Sequence, residues 1–467
     1  MIDHMVEHPR CAAWADMGAG KGSTALTALS NLDVTEDVFP ALAIGPKRVA
    51  EDVWPNEADK WEHLKHLACV SLVGDPAHRL RTIKYDSPIF SINYEQLPWL
   101  VEYWGDRWPY KTVIADESTK LKSYRGSYRT STKGKVFLHS DGGARSKALG
   151  KVAHEYATRF IELTGTPAPN GLKDLWGQMW FLDRGERLGR TYEGFKQRWF
   201  KPSYDGFGII PLEGAEAEIH AKIRDICLTI DLADWLELDK PLINDVYVDL
   251  PPAARKAYVE MEKHMFTELE GATVEAFGAA ARTMKCLQLA NGAVYVDPTT
   301  LDDRDPKAKQ WKAIHNVKME ALDSIIEESN GANMMIVYTF RSDLARILKA
   351  YPQAVDLGTS AGLRDFKRGE VQLGACHPAS LGHGVDGLQE HCHEITHFGH
   401  GWPLDEYDQV NARIGPVRQM QSGFKRIVKV NRIIARDTLD EDVIERRLSK
   451  GTVQDALRNA AKRRKQQ

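Results

Sequence analysis

The chain has 467 residues, 43% of them hydrophobic and 27% charged, and a formal net charge of −3. This is the balance of an ordinary soluble protein with room for two domains and a sizeable core; it excludes a globally basic nucleic-acid binder, so any such contact must come from local patches. No apolar run approaches the roughly 18 residues a spanning helix needs, and the start MIDHMVEHPR lacks a secretory apolar segment, so a cytoplasmic protein without a membrane partner is expected. Six cysteines, Cys11, Cys69, Cys227, Cys286, Cys376 and Cys392, lie far apart without paired spacing, which suits reduced thiols.

The first chemistry-bearing segment is ADMGAGKGST, Ala15 to Thr24. Gly18, Gly20 and Lys21 match the phosphate-loop pattern GxxxxGK[ST], but Ala15 stands at the first glycine and Gly22 at the hydroxyl residue that normally contacts Mg²⁺. Ser23 follows one residue later, and one helical step turns its side chain by roughly 100°. Gly18, Ala19, Gly20, Lys21, Gly22 and Ser23 are therefore read as the cradle of a nucleotide, with Ser23 as its metal-side hydroxyl. A glycine-rich turn that merely opens a helix is the competing reading.

The runs ALAIGP, IFSIN, TVIADE and FIELTGTP then read as short buried strands separated by polar or helical sequence, the pattern of a parallel sheet with crossover helices. Asp116 and Glu117 end the third run, at the carboxyl end where such sheets bind ligands. There Asp116 can hold Mg²⁺, and Glu117 can orient and deprotonate an attacking water; an acidic strand-end loop is the alternative. The stretch KLKSYRGSYRTSTKGK, Lys120 to Lys135, is basic, tyrosine-containing and glycine-broken, a composition suited to nucleic-acid phosphates, although charge runs are more often solvated loops. Lys120, Lys122 and Arg125, with Lys47 and Arg48 after the first strand and Lys462 to Lys465 at the end, are the candidate nucleic-acid contacts.

From about Leu172 to Val294 the pattern turns helical and aromatic-rich, most clearly in AARKAYVEMEKHMFTELEG after Pro251 and Pro252. A second strand series follows in MMIVYTF, VQLGACHP, EITHFGH and RIVKVNRII, and a charged helix begins near Asp440. The histidines and cysteines around Cys376 and His391 to His393 lack the second spaced pair of a structural zinc site and are not read as one.

Several ordered segments resemble the Swi/Snf-type branch of superfamily two helicase-like, DEAD/DEAH-like ATPases, particularly the compact versions carried by bacteriophages. DMGAGK and DEST are joined by Ile44-Gly45-Pro46-Lys47, similar to motif Ia, by INYEQL (Ile92 to Leu97), and by LTGTPAPN (Leu163 to Asn170), similar to motif III and followed by GLKDLWGQMWFLD. VYTFRSDL (Val337 to Leu344) resembles motif IV, HPASLGHGVDGLQ (His377 to Gln389) motif V, and YDQVNARIGPVRQ (Tyr407 to Gln419) motif VI.

The resemblance implies an α/β protein of two RecA-like parallel-sheet lobes with a helical accessory region between them. Residues 1–180 form the ATP-binding lobe, 181–304 the accessory region, 305–440 the second lobe and 441–467 a basic helix and tail. It further implies ATP and Mg²⁺ as cofactors, Thr164 and Thr166 as the link from nucleotide to lobe movement, and Asp386 beside the nucleotide. Arg413 and Arg418 become charge stabilisers, although Pro416 occupies the place where the family has its second arginine. The expected partner is double-stranded DNA, with branched or single-stranded DNA and replication or recombination proteins as further candidates. Only 14 residues precede Ala15, so the family's upstream adenine-reading segment is missing; a late start or a loosely held adenine is expected. The implied activity is that of a DNA-stimulated ATPase that translocates on or remodels duplexes in phage replication, recombination or repair, in the host cytoplasm. The alternative, motivated by Gly22 and Pro416, is a catalytically weakened DNA-binding clamp that retains the fold.

Overall fold

The computed structural model describes residues 1–132, 134–169, 171–202, 209–232, 236, 238–270, 276–295, 311–381 and 384–449. The terminal basic cluster, Asn170 and His383 lie outside the described residues. The chain divides into two compact units, Met1–Glu237 and Leu238–Gln467.

The first unit contains β1 (Arg10–Ala15), β2 (Ala41–Gly45), β3 (Cys69–Ser71), β4 (Ile89–Asn93), β5 (Thr112–Asp116), β6 (Arg125–Thr130), β7 (Val136–Asp141), β8 (Arg159–Thr164), β9 (Phe200–Pro202), β10 (Ile209–Pro211) and β11 (Cys227–Ile230). Seven of these form one sheet in the order β11-β1-β8-β5-β2-β4-β3, every neighbouring pair parallel. Helices cover both faces, so the strands bury both sets of side chains and read as continuous apolar runs. Alternation then sorts the residues: Ala12 and Trp14 of β1 enter one core with Leu42 and Ile44 of β2, while Cys11 and Ala13 enter the opposite core with Ala41 and Ala43.

The second unit contains β12 (Leu242–Val248), β13 (Ala293–Tyr295), β14 (Trp311–Ala313), β15 (Asn333–Val337), β16 (Val355–Asp356), β17 (Leu373–Cys376), β18 (Cys392–His397) and β19 (Lys429–Ala435). Its six-stranded sheet runs β12-β19-β18-β15-β17-β16, again parallel throughout. Two parallel sheets with helices confirm the α/β, two-lobed class expected from the sequence. The helices Pro252–Glu270 and Ala276–Asn291 precede β13, but the same nominally helical stretch also supplies β11 and β12, each an edge strand of one main sheet. The expected loop after Lys120 is in part a strand, because Arg125 to Thr130 pairs with Val136 to Asp141 as an antiparallel hairpin.

A buried ion pair and a buried carboxyl stand out from these cores. Lys318 and Asp440, both fully buried, form an ion pair of 2.6 Å in the second unit. The Lys318 ammonium also donates to Asn291 Oδ1 (2.8 Å) and the Phe398 carbonyl (3.2 Å), while Asp440 accepts the Ala435 amide (3.0 Å). In the first unit Glu162 of β8 is fully buried, and neither of its carboxyl oxygens has a hydrogen-bond partner among the described residues. Burial, reinforced by Asp183, raises its pKa well above 4.5, so it is carried as the neutral acid.

A raised acid binds its proton in the folded state while the unfolded chain releases it. The stability it supplies is whole below pH 4.5 and is lost as pH climbs toward the raised value. Glu162→Gln should therefore flatten the fall of unfolding free energy above that pH, by a slope of up to about 1.4 kcal/mol per pH unit. Urea melts at several pH values read this directly; equal slopes in the two proteins would remove the assignment.

Candidate functional site

Strands β1, β8 and β5 are neighbours, with Trp14 level with Thr164 and Asp116 level with Leu163. Their carboxyl ends therefore present three loops side by side: the glycine loop after β1, the threonine loop after β8 and the acidic pair at the end of β5. Open parallel sheets of this kind bind ligands at this edge.

The glycine loop turns on Gly18 (φ 87°) and Gly20 (φ 71°), backbone conformations that side chains with a Cβ seldom adopt. Gly20 caps the helix Lys21–Leu32, whose first amides face the loop. Lys21 bends back so that its ammonium donates to the carbonyls of Ala15 (2.6 Å) and Asp16 (3.0 Å). Asp16 in turn accepts the Leu232 amide beyond β11 at 2.8 Å, tying the loop to the sheet edge. Ser23 is buried and donates to the Gly20 carbonyl at 3.0 Å, within its own turn. At Gly22 a Cβ would meet the Glu57 side chain, nearest at Cγ 3.6 Å, an ordinary contact, so space does not force glycine there.

Asp116 Oδ2 accepts the indole N–H of Trp54 at 3.1 Å. The buried Tyr94 hydroxyl donates to the Asp116 carbonyl (3.0 Å) and lies 3.3 Å from that of Glu117, which fixes the backbone of the pair. Burial, with the neighbouring Glu117 charge, pushes the Asp116 carboxyl up to about 6, opposed by the charge of Lys21. Glu117 has φ 61°, the left-handed region, a strain of about 1–3 kcal/mol for a residue with a side chain. Its Oε1 accepts Thr119 Oγ1 at 3.0 Å and Thr164 Oγ1 at 3.4 Å, and the Thr164 hydroxyl accepts the Thr166 amide at 3.1 Å.

This donor set fits a magnesium nucleotide. A desolvated carboxyl raised by a second carboxylate is stabilised as the anion when a cation arrives, and a glycine loop with a lysine at a helix N-terminus suits phosphate oxygens.

In the second unit the motif-derived residues also meet. Arg413, closing the helix Leu404–Ala412, donates to the Val385 carbonyl at 3.0 Å. Arg418 pairs with Asp386 at 3.1 Å. Pro416 occupies the first turn of a new helix, Pro416–Gln421, after Gly415, and thereby sets Arg418 on that helix rather than in a loop.

The candidate DNA contacts divide. Lys47 is exposed, and Arg48 lies 4.0 Å from Asp52. Lys120 is half-buried, and Lys122 lies 3.8 Å from Asp174. Arg125 is committed inward: it donates to the carbonyls of Lys122 (2.8 Å) and Tyr124 (2.6 Å), and its guanidinium sits 3.6 Å from the Tyr192 ring centroid.

Trp54, Tyr94 and Thr119 were not singled out by the sequence. Tyr94 and Thr119 lie inside INYEQL and DEST, where a polar residue beside a strand-end acid is the available signal. Trp54 carries none, because its partner is 62 residues away.

No family model matches the chain. Putative protein p41 of Acyrthosiphon pisum secondary endosymbiont phage 1 is 43% identical over 470 residues, which cover 99% of this chain and 97% of that protein. An uncharacterized ATP-dependent helicase of Mycoplasma genitalium, MG018, is 22% identical over 92% of this chain; the match spans only 38% of that protein's length. Among solved structures, the Sulfolobus solfataricus SWI2/SNF2 ATPase core in complex with dsDNA is 22% identical with a TM-score of 0.42, over 96% of this chain and 87% of that one.

Proposed function

We propose that the chain is a member of the Swi/Snf-type branch of superfamily two helicase-like ATPases, a DNA-stimulated ATPase that translocates on or remodels duplex DNA; its ordered motifs and its two parallel-sheet units support that reading. The observation that carries the reading is Glu117, in a strained conformation with the hydroxyls of Thr119 and Thr164 on its carboxylate, next to Asp116 and with one strand, β8, between β5 and the β1 whose loop leads to Lys21.

In this mechanism the amides of Gly18 to Gly22 and the ammonium of Lys21 take the phosphates, Lys21 exchanging its carbonyl partners for phosphate oxygens. Asp116, with Ser23 in the first turn of the helix Lys21–Leu32, would provide the side where Mg²⁺ is held; the metal would supply charge neutralisation at the transferring phosphoryl group. Glu117 orients a water and accepts its proton. Thr164 answers the loss of phosphate by changing hydrogen-bond partners, because one hydroxyl both donates to Glu117 and accepts from Thr166. Within the second unit, Arg413, Arg418 and Asp386 are the candidate charge-stabilising groups, and Lys47, Arg48, Lys120 and Lys122 are the candidate contacts to DNA backbone phosphates, which carry no sequence preference. A phage replication, recombination or repair setting is part of the proposal, supported by the phage origin of the 43% identical relative.

The test is ATP hydrolysis with and without duplex DNA, followed by triplex displacement for translocation and fork unwinding for strand separation. Lys21→Ala should reduce turnover by about 10²–10³-fold, the scale of one charge-stabilising donor removed. Undiminished turnover in that variant would end the proposal. The second reading, a DNA-binding clamp, draws on Gly22 and on the inward hydroxyl of Ser23. It expects DNA affinity indifferent to ATP and no change on Gly22→Thr.

A further inference from the structure

The helix Leu175–Asp183 follows the threonine loop in sequence and lies under the turn that follows the acidic pair. Its Gly177 marks how closely: a Cβ there would stand 2.6 Å from the Lys122 carbonyl oxygen and 2.7 Å from that of Leu121, so no side chain fits without moving backbone. One residue on, Gln178 is fully buried and uses both ends of its amide. Its Oε1 accepts the hydroxyl of Ser118, itself fully buried and next to Glu117, at 2.9 Å. Its Nε2 donates to the Pro167 carbonyl, next to Thr166, at 2.7 Å, and to the Asp174 carbonyl at 3.0 Å.

We propose that Gln178 is a positioning residue that locks the acidic loop to the threonine loop, so that displacement of Thr164 and Thr166 is transmitted to Glu117 as a rigid movement. The inference rests on the ATPase reading above and adds to it the element that couples its two loops. Two features separate this amide from a generic core glutamine. It bridges two segments that already share the Glu117–Thr164 hydrogen bond, closing a ring of polar contacts around the site. Its partners are one hydroxyl and two carbonyls in a buried region, so a side chain lacking either amide function leaves a polar group without a partner. Gly177 supplies the rigidity, because a helix in backbone contact with the acidic turn cannot swing independently of it.

Gln178→Leu, Gln178→Glu and Ser118→Ala are compared with wild type for DNA-free and DNA-stimulated ATP hydrolysis, with thermal melts to establish folding. Gln178→Leu should lower DNA-stimulated kcat about tenfold, the scale of one buried hydrogen bond lost from the barrier, while KM for ATP and the DNA-free rate stay within about twofold. Gln178→Glu keeps the acceptor for Ser118 but loses the donor to Pro167, and should behave like the leucine variant. Ser118→Ala should cost less than Gln178→Leu, and adding it to Gln178→Leu should cost nothing further, as expected of residues acting through one contact. If Gln178→Leu does not fold, the glutamate and alanine variants carry the same contrast. Folded variants with wild-type stimulation overturn this inference and leave the ATPase reading standing. A wild-type protein that DNA does not stimulate removes both.

Discussion

Replacing Glu117 by glutamine is expected to lower DNA-stimulated ATP turnover by about 10²–10⁴-fold, the range for losing a positioned proton acceptor. Glutamine keeps the length of the side chain and an oxygen able to accept from Thr119 and Thr164, so the left-handed backbone at this position should persist. What it loses is the negative charge and the basicity needed to draw a proton from water. ATP binding should consequently remain within about threefold of wild type, since the phosphate contacts proposed for Lys21 and the glycine loop are untouched. Single-turnover hydrolysis and nucleotide titration separate the two terms. A drop of less than about tenfold would mean that the water is activated elsewhere.

The second large effect concerns stability. Lys318→Ala should destabilise the second unit by about 3–5 kcal/mol, because it strands a fully buried Asp440 carboxylate without its cation. The ammonium also satisfies Asn291 Oδ1 and the Phe398 carbonyl, so three polar groups lose a partner together. Asn291 Nδ2 donates to Asp343 at 2.9 Å, and Arg346 holds the Asn291 carbonyl at 2.6 Å, which spreads the loss through the helices around this core. Substituting both members, Lys318→Met with Asp440→Leu, should recover most of the stability, since removing a buried pair whole avoids the unpaired charge. Chemical unfolding of wild type, Lys318→Met, Asp440→Leu and the double variant closes the cycle that measures the coupling, with Lys318→Ala alongside. If the double variant is no more stable than Lys318→Ala, the loss belongs to packing and not to the stranded charge.

Much of the first unit's candidate site is legible in the sequence. Glycines flanking a lysine announce a positive-φ loop at a helix start, and Asp116 and Glu117 after TVIA announce carboxylates at a strand end. These signals are local: backbone permissiveness, period-two burial and strand-end acids are each written within about ten residues. The edge strands β11 and β12 were harder. CLTI is too short to separate from a helical neighbour by periodicity, and LINDVYV exposes four of its seven side chains as an edge strand can, so neither shows the buried apolar run of a central strand. Glu162 was hidden inside FIELTGTP, which reads as a strand with or without a neutral acid in its middle.

The sequence by itself determined which residues carry charge, which glycines can turn left-handed and which short runs must be buried, and with them two parallel α/β blocks and their ordered motifs. Only the tertiary structure decided that Trp54 holds Asp116 across 62 residues, that Gln178 joins Ser118 across 60, and that Arg125 turns inward onto Tyr192. The reason is physical: strand order decides which loops become neighbours at the sheet edge, and side chains distant in sequence can choose partners only after that order has closed the chain around them.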